Sequence, residues 1–177
     1  MRYLVRERLF AIGDDFWIED ENGASAFFVD GKALHLRQTF DLKDATGETV
    51  TVIRRRIFGW RPTMTVEHGG AVLATVRKKR LPLFGDRFTV SVTDVTTGLG
   101  TELTVRGNVL DKEYDIQRSD GETLARISRK WFRLRDTYAV EIEGREGPGV
   151  PLLLSVAVCV DVLERLGSRR PMIGGGE

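Results

Sequence analysis

With 177 residues, 41% of them hydrophobic and 30% charged, the chain suits one ordinary globular fold and is too apolar to be disordered over its length. A formal net charge of +1 argues against a uniformly basic protein that coats nucleic acid. The single cysteine, Cys159, excludes an intrachain disulfide and points to a reducing compartment. Lying in an apolar run, it is read as a small core residue.

The opening MRYLVRERLF is interrupted by Arg6, Glu7 and Arg8 before a secretory apolar segment can form, so no leader is expected. From there to about residue 143 the chain alternates short runs rich in Val, Ile, Thr and Phe with acidic and glycine-containing turns. These turns are Asp20 to Gly23, Asp30-Gly31, Asp44 to Gly47, His68 to Gly70, Thr96 to Gly98 and Ser119 to Gly121. About twelve strands are expected. They include Phe16 to Glu19, Ala26 to Val29, Val50 to Arg55, Thr63 to Glu67, Val72 to Arg77, Phe88 to Thr93, Glu102 to Val105, Tyr114 to Arg118, Leu124 to Arg129 and Thr137 to Glu143.

The last element is the longest apolar run, Pro151 to Leu166 (PLLLSVAVCVDVLERL). Only about ten uncharged residues precede Asp161, against about 20 for a membrane span. Apolar side chains on every side of a helical projection predict a helix walled in by protein. The alternation of Val156, Val158, Val160 and Val162 also fits a buried strand, and length favours the helix. Pro151 suits its start and Gly167 its end. Asp161 must then find a partner or the mouth of the enclosure. Residues 168–177, with Arg169, Arg170 and a glycine run, read as a frayed tail.

An internal repeat decides between sandwich and barrel. Phe40 to Glu67 laid over Tyr114 to Glu141, an offset of 74 without a gap, gives 11 identities, among them Asp41 with Asp115 and Gly47-Glu48-Thr49 with Gly121-Glu122-Thr123. A weaker third copy starts at Gly70. Two equivalent halves closing around one helix leave no sheet edge exposed and give the helix walls on every side.

Catalysis has little to stand on. The two histidines, His35 and His68, form no set with the lone cysteine for zinc, and His68 sits in a glycine turn. The acids from Asp14 to Glu21 depart from calcium-loop spacing. No glycine-rich phosphate loop or Gly-x-Ser-x-Gly nucleophile motif is present, and Asp111 with Glu113 shows no apolar cleft around it. No cofactor or metal is expected.

Charge is more telling in its placement. Residues 1–53 hold 6 basic and 10 acidic side chains, residues 54–87 hold 9 and 2, and residues 88–177 hold 12 and 14. The basic clusters are Arg54-Arg55-Arg56, Arg77-Lys78-Lys79-Arg80, and Arg129-Lys130 with Arg133 and Arg135, each after a hairpin turn. On strands, Arg54 and Arg56 share one face, while Arg77 and Lys79 oppose Lys78 and Arg80. With the interior taken by a helix, these cations are expected at strand ends or projecting outward. Charged strand ends also serve solubility alone by deterring edge pairing.

The order of Tyr3-Leu4-Val5, Asp15-Phe16-Trp17-Ile18, Val29 to Lys32, Asp44 to Gly47, Ile127 to Trp131, Tyr138 and a C-terminal helix carrying Asp161 resembles the LURP-one-related family of the Tubby C-terminal-like superfamily, which also includes the phospholipid scramblases. The resemblance covers roughly residues 1–166. It implies a mainly β, closed barrel of about twelve antiparallel strands around a buried C-terminal α-helix. Tubby-type domains bind phosphoinositide head groups through outward Lys and Arg, and Arg77 to Arg80 is the match in this chain.

The expectation is a barrel over residues 1–167 with helix 151–166. It would be non-enzymatic, cytoplasmic, and peripheral at a membrane without transmembrane insertion. It would bind phosphoinositide or another anionic phospholipid through Arg54, Arg56, Arg77, Lys78, Lys79, Arg80, Arg129 and Lys130. Scramblase-like movement of lipid is not expected, since no palmitoylation-type cysteine cluster is present. The alternatives are a protein-interaction scaffold, or nucleic-acid binding through the same cations with Trp60 or Trp131 stacking on bases. The near-neutral charge weighs against the last.

Overall fold

Alternation of buried and more exposed side chains along strands such as β2, β5 and β10, and a terminal segment with no exposed face, favour a closed wall around a helix. A computed structural model of the chain describes residues 1–7, 15–31, 39–56, 62–81, 85–93, 100–108, 113–128, 137–143 and 149–168. In chain order these form β1 (Arg2–Glu7), β2 (Phe16–Glu19), β3 (Ser25–Gly31), β4 (Thr39–Asp44), β5 (Thr49–Arg56), β6 (Thr63–His68), β7 (Ala71–Leu81), β8 (Gly85–Thr93), β9 (Gly100–Asn108), β10 (Glu113–Arg118), β11 (Thr123–Ser128), β12 (Thr137–Ile142) and α1 (Val150–Ser168). Every strand pairs antiparallel with its sequence neighbour, and β1 pairs with β12 to close the barrel. The helix, expected over 151–166, gains residues at both ends. Of the expected tail, Ser168 closes α1, and residues 169–177 lie outside the described residues.

The repeat maps onto two opposed three-strand segments of the wall. Strands β4, β5 and β6 superimpose in sequence on β10, β11 and β12 at the 74-residue offset, so the register shift between Leu42 and Lys43 recurs between Ile116 and Gln117. The turns recur as well. Asp44 Oδ1 accepts hydrogen bonds from the Thr46 and Glu48 amides, and Asp20 Oδ1 from the Asn22 and Ala24 amides, in the β2–β3 turn of like form. These bonds hold both carboxyls below the usual aspartate range: the Thr46 hydroxyl acts first at Asp44 and the Ala24 amide first at Asp20. Gly47 and Gly121, at φ of 86° and 93°, close equivalent turns in a conformation that side chains disfavour. Since β5 and β11 are six strands apart in a ring of twelve, the two halves face each other across the axis. The weaker third copy, starting at β7, has no place in this twofold arrangement.

Inward side chains of all twelve strands form one core with α1, from Val5, Phe16 and Ile18 through Ile53, Met64, Val76 and Phe88 to Ile116, Tyr138 and Val140. Residues Leu152 to Leu163 of α1 are all buried, so burial rather than intrinsic propensity fixes this β-branched segment as a helix. Its one buried hydroxyl, Ser155, donates to the Pro151 carbonyl at 2.8 Å and lies 2.7 Å from the Thr51 hydroxyl of the wall. We call the end of the barrel where α1 begins the upper end, and the end where it finishes the lower. Strands β1, β3, β5, β7, β9 and β11 run downward.

Gly107 stands opposite Tyr114 on β10, whose ring fills the space a side chain would need. A β-carbon there would fall inside that ring. Tyr114 is held in turn by an edge contact with Phe88, ring centroids 6.1 Å apart. Gly107→Val is therefore expected to destabilise the barrel by about 1–3 kcal/mol, the ordinary cost of overpacking. Gly107→Val combined with Tyr114→Ala should recover part of that loss in urea denaturation.

Candidate functional site

Alternation along β5, β7 and β9 decides where the basic clusters point. Ile53, Val76 and Val105 are fully buried, so their neighbours at odd spacing face outward. Arg54, Arg56, Arg77, Lys79 and Arg106 are exposed. The cross-strand register runs Arg56–Thr63–Arg77 in one row and Lys79–Arg87–Arg106 in the next, with Arg87 at the position between the two cations. Cations in one row are two strands apart, about 9.5 Å, and Arg77 and Lys79 are about 6.6 Å apart along β7. All of them lie toward the lower end.

Two cations of the clusters are committed elsewhere. Arg54 Nε donates to Glu67 Oε2 at 3.0 Å, and Glu67 also accepts from Thr65, so its charge is offset on the wall. Lys78 departs from the expected outward projection: it points inward, is 8% exposed, and its Nζ lies 3.0 Å from Glu164 Oε1 on α1 and 5.7 Å from the Phe88 ring centroid. A buried cation is tolerated here because the helix brings a carboxylate to it. Arg55 stands in the inward row opposite Met64 and is half-buried. Arg80 shares Lys78's parity, and its side chain lies outside what is described, as do Arg129 and Lys130 altogether.

Elsewhere on the outer wall cations and carboxylates alternate. Arg2 faces Glu141 at 3.6 Å, Arg6 faces Glu19 at 3.1 Å, Lys43 faces Asp30 at 2.7 Å and Arg126 faces Asp115 at 2.8 Å. The hydrogen bonds that Lys43 donates to Asp30 and Arg126 donates to Asp115 raise the pKa of each donor. Among the described residues, no carboxylate pairs with Arg56, Arg77, Lys79 or Arg106. The twofold relation breaks at this point. In the β3–β4 pair Asp41 faces Asp30, whereas the equivalent Asp115 in β10 faces Arg106 of β9. Among the described residues, the exposed cations without a carboxylate at ion-pair distance lie on β5, β7 and β9; Arg106 stands across from Asp115, whose carboxylate accepts from Arg126 instead. Arg106 was not visible in the sequence, since it stands alone in TVRGN; only strand register places it beside β7.

The interior holds a second charged pair. Asp161, 5% exposed, has Oδ2 at 2.9 Å from Arg165 Nη2 one helical turn on, and the Arg165 guanidinium lies 5.7 Å from the Phe16 ring centroid. One partner of Asp161 is therefore on its own helix. Cys159 is fully buried, and desolvation pushes its thiol far above the usual range, which removes it as a nucleophile. Among the described residues, no group of three or more His, Cys, Asp and Glu side chains is placed to hold a metal, and no helix is long and apolar enough to cross a membrane.

Comparisons with known proteins agree with this architecture. A family model described as LURP-one-related matches residues 1–162. The uncharacterized protein YxjI of Bacillus subtilis is 25% identical over 160 residues, covering 90% of this chain and 91% of its own length. An X-ray structure of an Arabidopsis thaliana protein is similar in fold, with a TM-score of 0.60 at 18% identity over 94% of this chain and 91% of that one.

Proposed function

The chain belongs to the LURP-one-related family, and from that premise we propose that it is a non-enzymatic binding module for anionic, phosphate-bearing lipid at a membrane surface. Family and Tubby-like barrel both support a binding module. The observation that carries the lipid reading is the set Arg56, Arg77, Lys79 and Arg106, exposed together on one wall without carboxylate partners among the described residues. Such cations are free to take phosphate oxygens, and Arg offers two parallel donors to each phosphate. The lone buried thiol is compatible with a reducing compartment, where the facing leaflet carries negative surface potential.

Among the described residues, the one exposed aromatic ring does not lie beside the cations, which supports lipid over nucleic acid. Single-stranded nucleic acid needs stacking rings beside the cations. Trp60 and Trp131 lie outside the described residues, and the exposed Trp17 packs tilted against Phe28, ring centroids 4.5 Å apart, on β2 and β3. Those strands are two or more steps around the barrel from β5, which carries Arg56, and four or more from β7 and β9.

Flotation with phosphatidylserine- or phosphoinositide-containing vesicles tests the reading. At about 1 kcal/mol per surface cation, Arg77→Ala with Lys79→Ala and Arg106→Ala should weaken partitioning by about a hundredfold while leaving the urea midpoint nearly unchanged. Unchanged partitioning, or no binding by the wild type, would overturn it.

A further inference from the structure

The described charges divide across the barrel axis. Strands β5 to β9 are adjacent in the ring, and their outward cations Arg54, Arg56, Arg77, Lys79 and Arg106 stand against two described carboxylates, Glu102 and the Glu67 that Arg54 holds. On the remaining strands each described outward cation has a carboxylate beside it, as Arg6 has Glu19 and Lys43 has Asp30. The positive pole of the described surface therefore lies on one flank. The macrodipole of α1 runs along the axis and leaves this transverse division unchanged. Short side chains fill the row between the cations: Thr63 stands between Arg56 and Arg77, and Thr89 and Thr104 continue the row beyond Arg77. Elsewhere in the ring, Trp17 and Phe28 follow Arg6 in register as Thr89 and Thr104 follow Arg77, so the fold itself does not demand small residues there.

Resting on the lipid reading, we propose that this wall reads the charge density of an anionic bilayer, lying side-on against it with each cation at a different head group, rather than holding one head group in a pocket. A pocket for one phosphorylated ring needs cations that converge within a recess. Here they stand about 6.6 Å apart along β7 and about 9.5 Å apart across two strands, and on the outside of a closed ring the side chains of neighbouring strands diverge. Thr63, Thr89 and Thr104 are too short to wall off a recess or to hold a plane away from the longer Arg and Lys side chains. The bilayer field fades within about 8–10 Å at physiological salt, and a side-on pose brings Arg56, Arg77, Lys79 and Arg106 into it together. The same pose carries β12 to β3, with their Glu141, Glu19 and Asp30, to the far side of the axis. The ligand is then any leaflet of sufficient negative charge, and phosphatidylserine serves as well as a phosphoinositide at equal surface potential.

Two measurements test this. Phosphatidylcholine vesicles are brought to the same zeta potential with either phosphatidylserine or a bisphosphorylated phosphoinositide; partitioning should agree within about threefold, and soluble inositol trisphosphate equimolar to the accessible anionic lipid should not displace the protein. A larger preference for the phosphoinositide, or displacement by the soluble head group, would overturn the density reading while the lipid reading stands. The pose is read by a fluorophore on Ser91→Cys, in β8, or on Ser25→Cys, in β3; both positions are exposed and lie toward the upper end, so an upright barrel does not separate them. Cys159 is fully buried and stays unlabelled. On phosphatidylserine vesicles carrying a head-group quencher, the label at position 91 should lose most of its emission and the label at 25 should keep it. Equal quenching at both, or stronger quenching at 25, would overturn the side-on pose. Failure of the unlabelled protein to bind any anionic vesicle would remove the lipid reading as well.

Discussion

Lys78→Ala is expected to destabilise the protein by about 3 kcal/mol, because it breaks a largely buried ion pair between the wall and α1. Glu164, the carboxylate left behind, has a side chain only 21% exposed and sits on a helix whose preceding turns are enclosed by the wall. Alanine also removes the ammonium near the Phe88 ring and leaves a gap at the lower mouth of the core. Lys78→Met with Glu164→Leu removes both charges at similar volume, and it should restore most of the lost stability or exceed it. Urea denaturation of the three variants checks this. The same proteins, while folded, should bind vesicles as the wild type does, since the lysine never faces them. Loss of vesicle binding by folded Lys78→Met/Glu164→Leu would contradict the inward assignment.

Leu154→Ala is expected to cost about 3–5 kcal/mol, at the upper range for truncation in a core that cannot relax. Leu154 is fully exposed to the inner wall and not at all to solvent, and a closed ring of hydrogen-bonded strands cannot collapse onto the space it vacates. The midpoint of thermal unfolding should fall by about 10 °C or more, with helix and strand signals lost together. A shift within a degree or two would mean that α1 lies on a deformable surface rather than inside a rigid wall.

Much of the fold was legible because its signals are local and redundant. The Gly47-Glu48-Thr49 and Gly121-Glu122-Thr123 triplets fixed the twofold offset, and the structure turns that offset into opposed strands with matching register shifts. The apolar run announced a walled helix because no side of it was polar. Strand β4 was weakly marked, since Asp41 and Lys43 sit among its apolar residues; it is held by its neighbours β3 and β5. The candidate site was legible only in part. Clustering in sequence picked out Arg54 to Arg56 and Arg77 to Arg80, but alternation sends successive residues to opposite faces, so a cluster is split by the wall it lies in. Lys78 went inward because Glu164, 86 residues away, waits for it. Arg106 joined the outward set through pairing between β8 and β9 that no local pattern encodes.

The central claim is that unpaired outward cations of one wall, rather than net charge, hold the protein on an anionic surface. Two triple-alanine variants with the same change in charge test it most directly. One lacks Arg77, Lys79 and Arg106; the other lacks Arg2, Arg6 and Arg126, each beside a carboxylate on the remaining wall. Partition to phosphatidylserine vesicles at fixed salt should collapse for the first variant and change little for the second. Equal losses in both would show that the wall carrying the unpaired cations has no special part in binding.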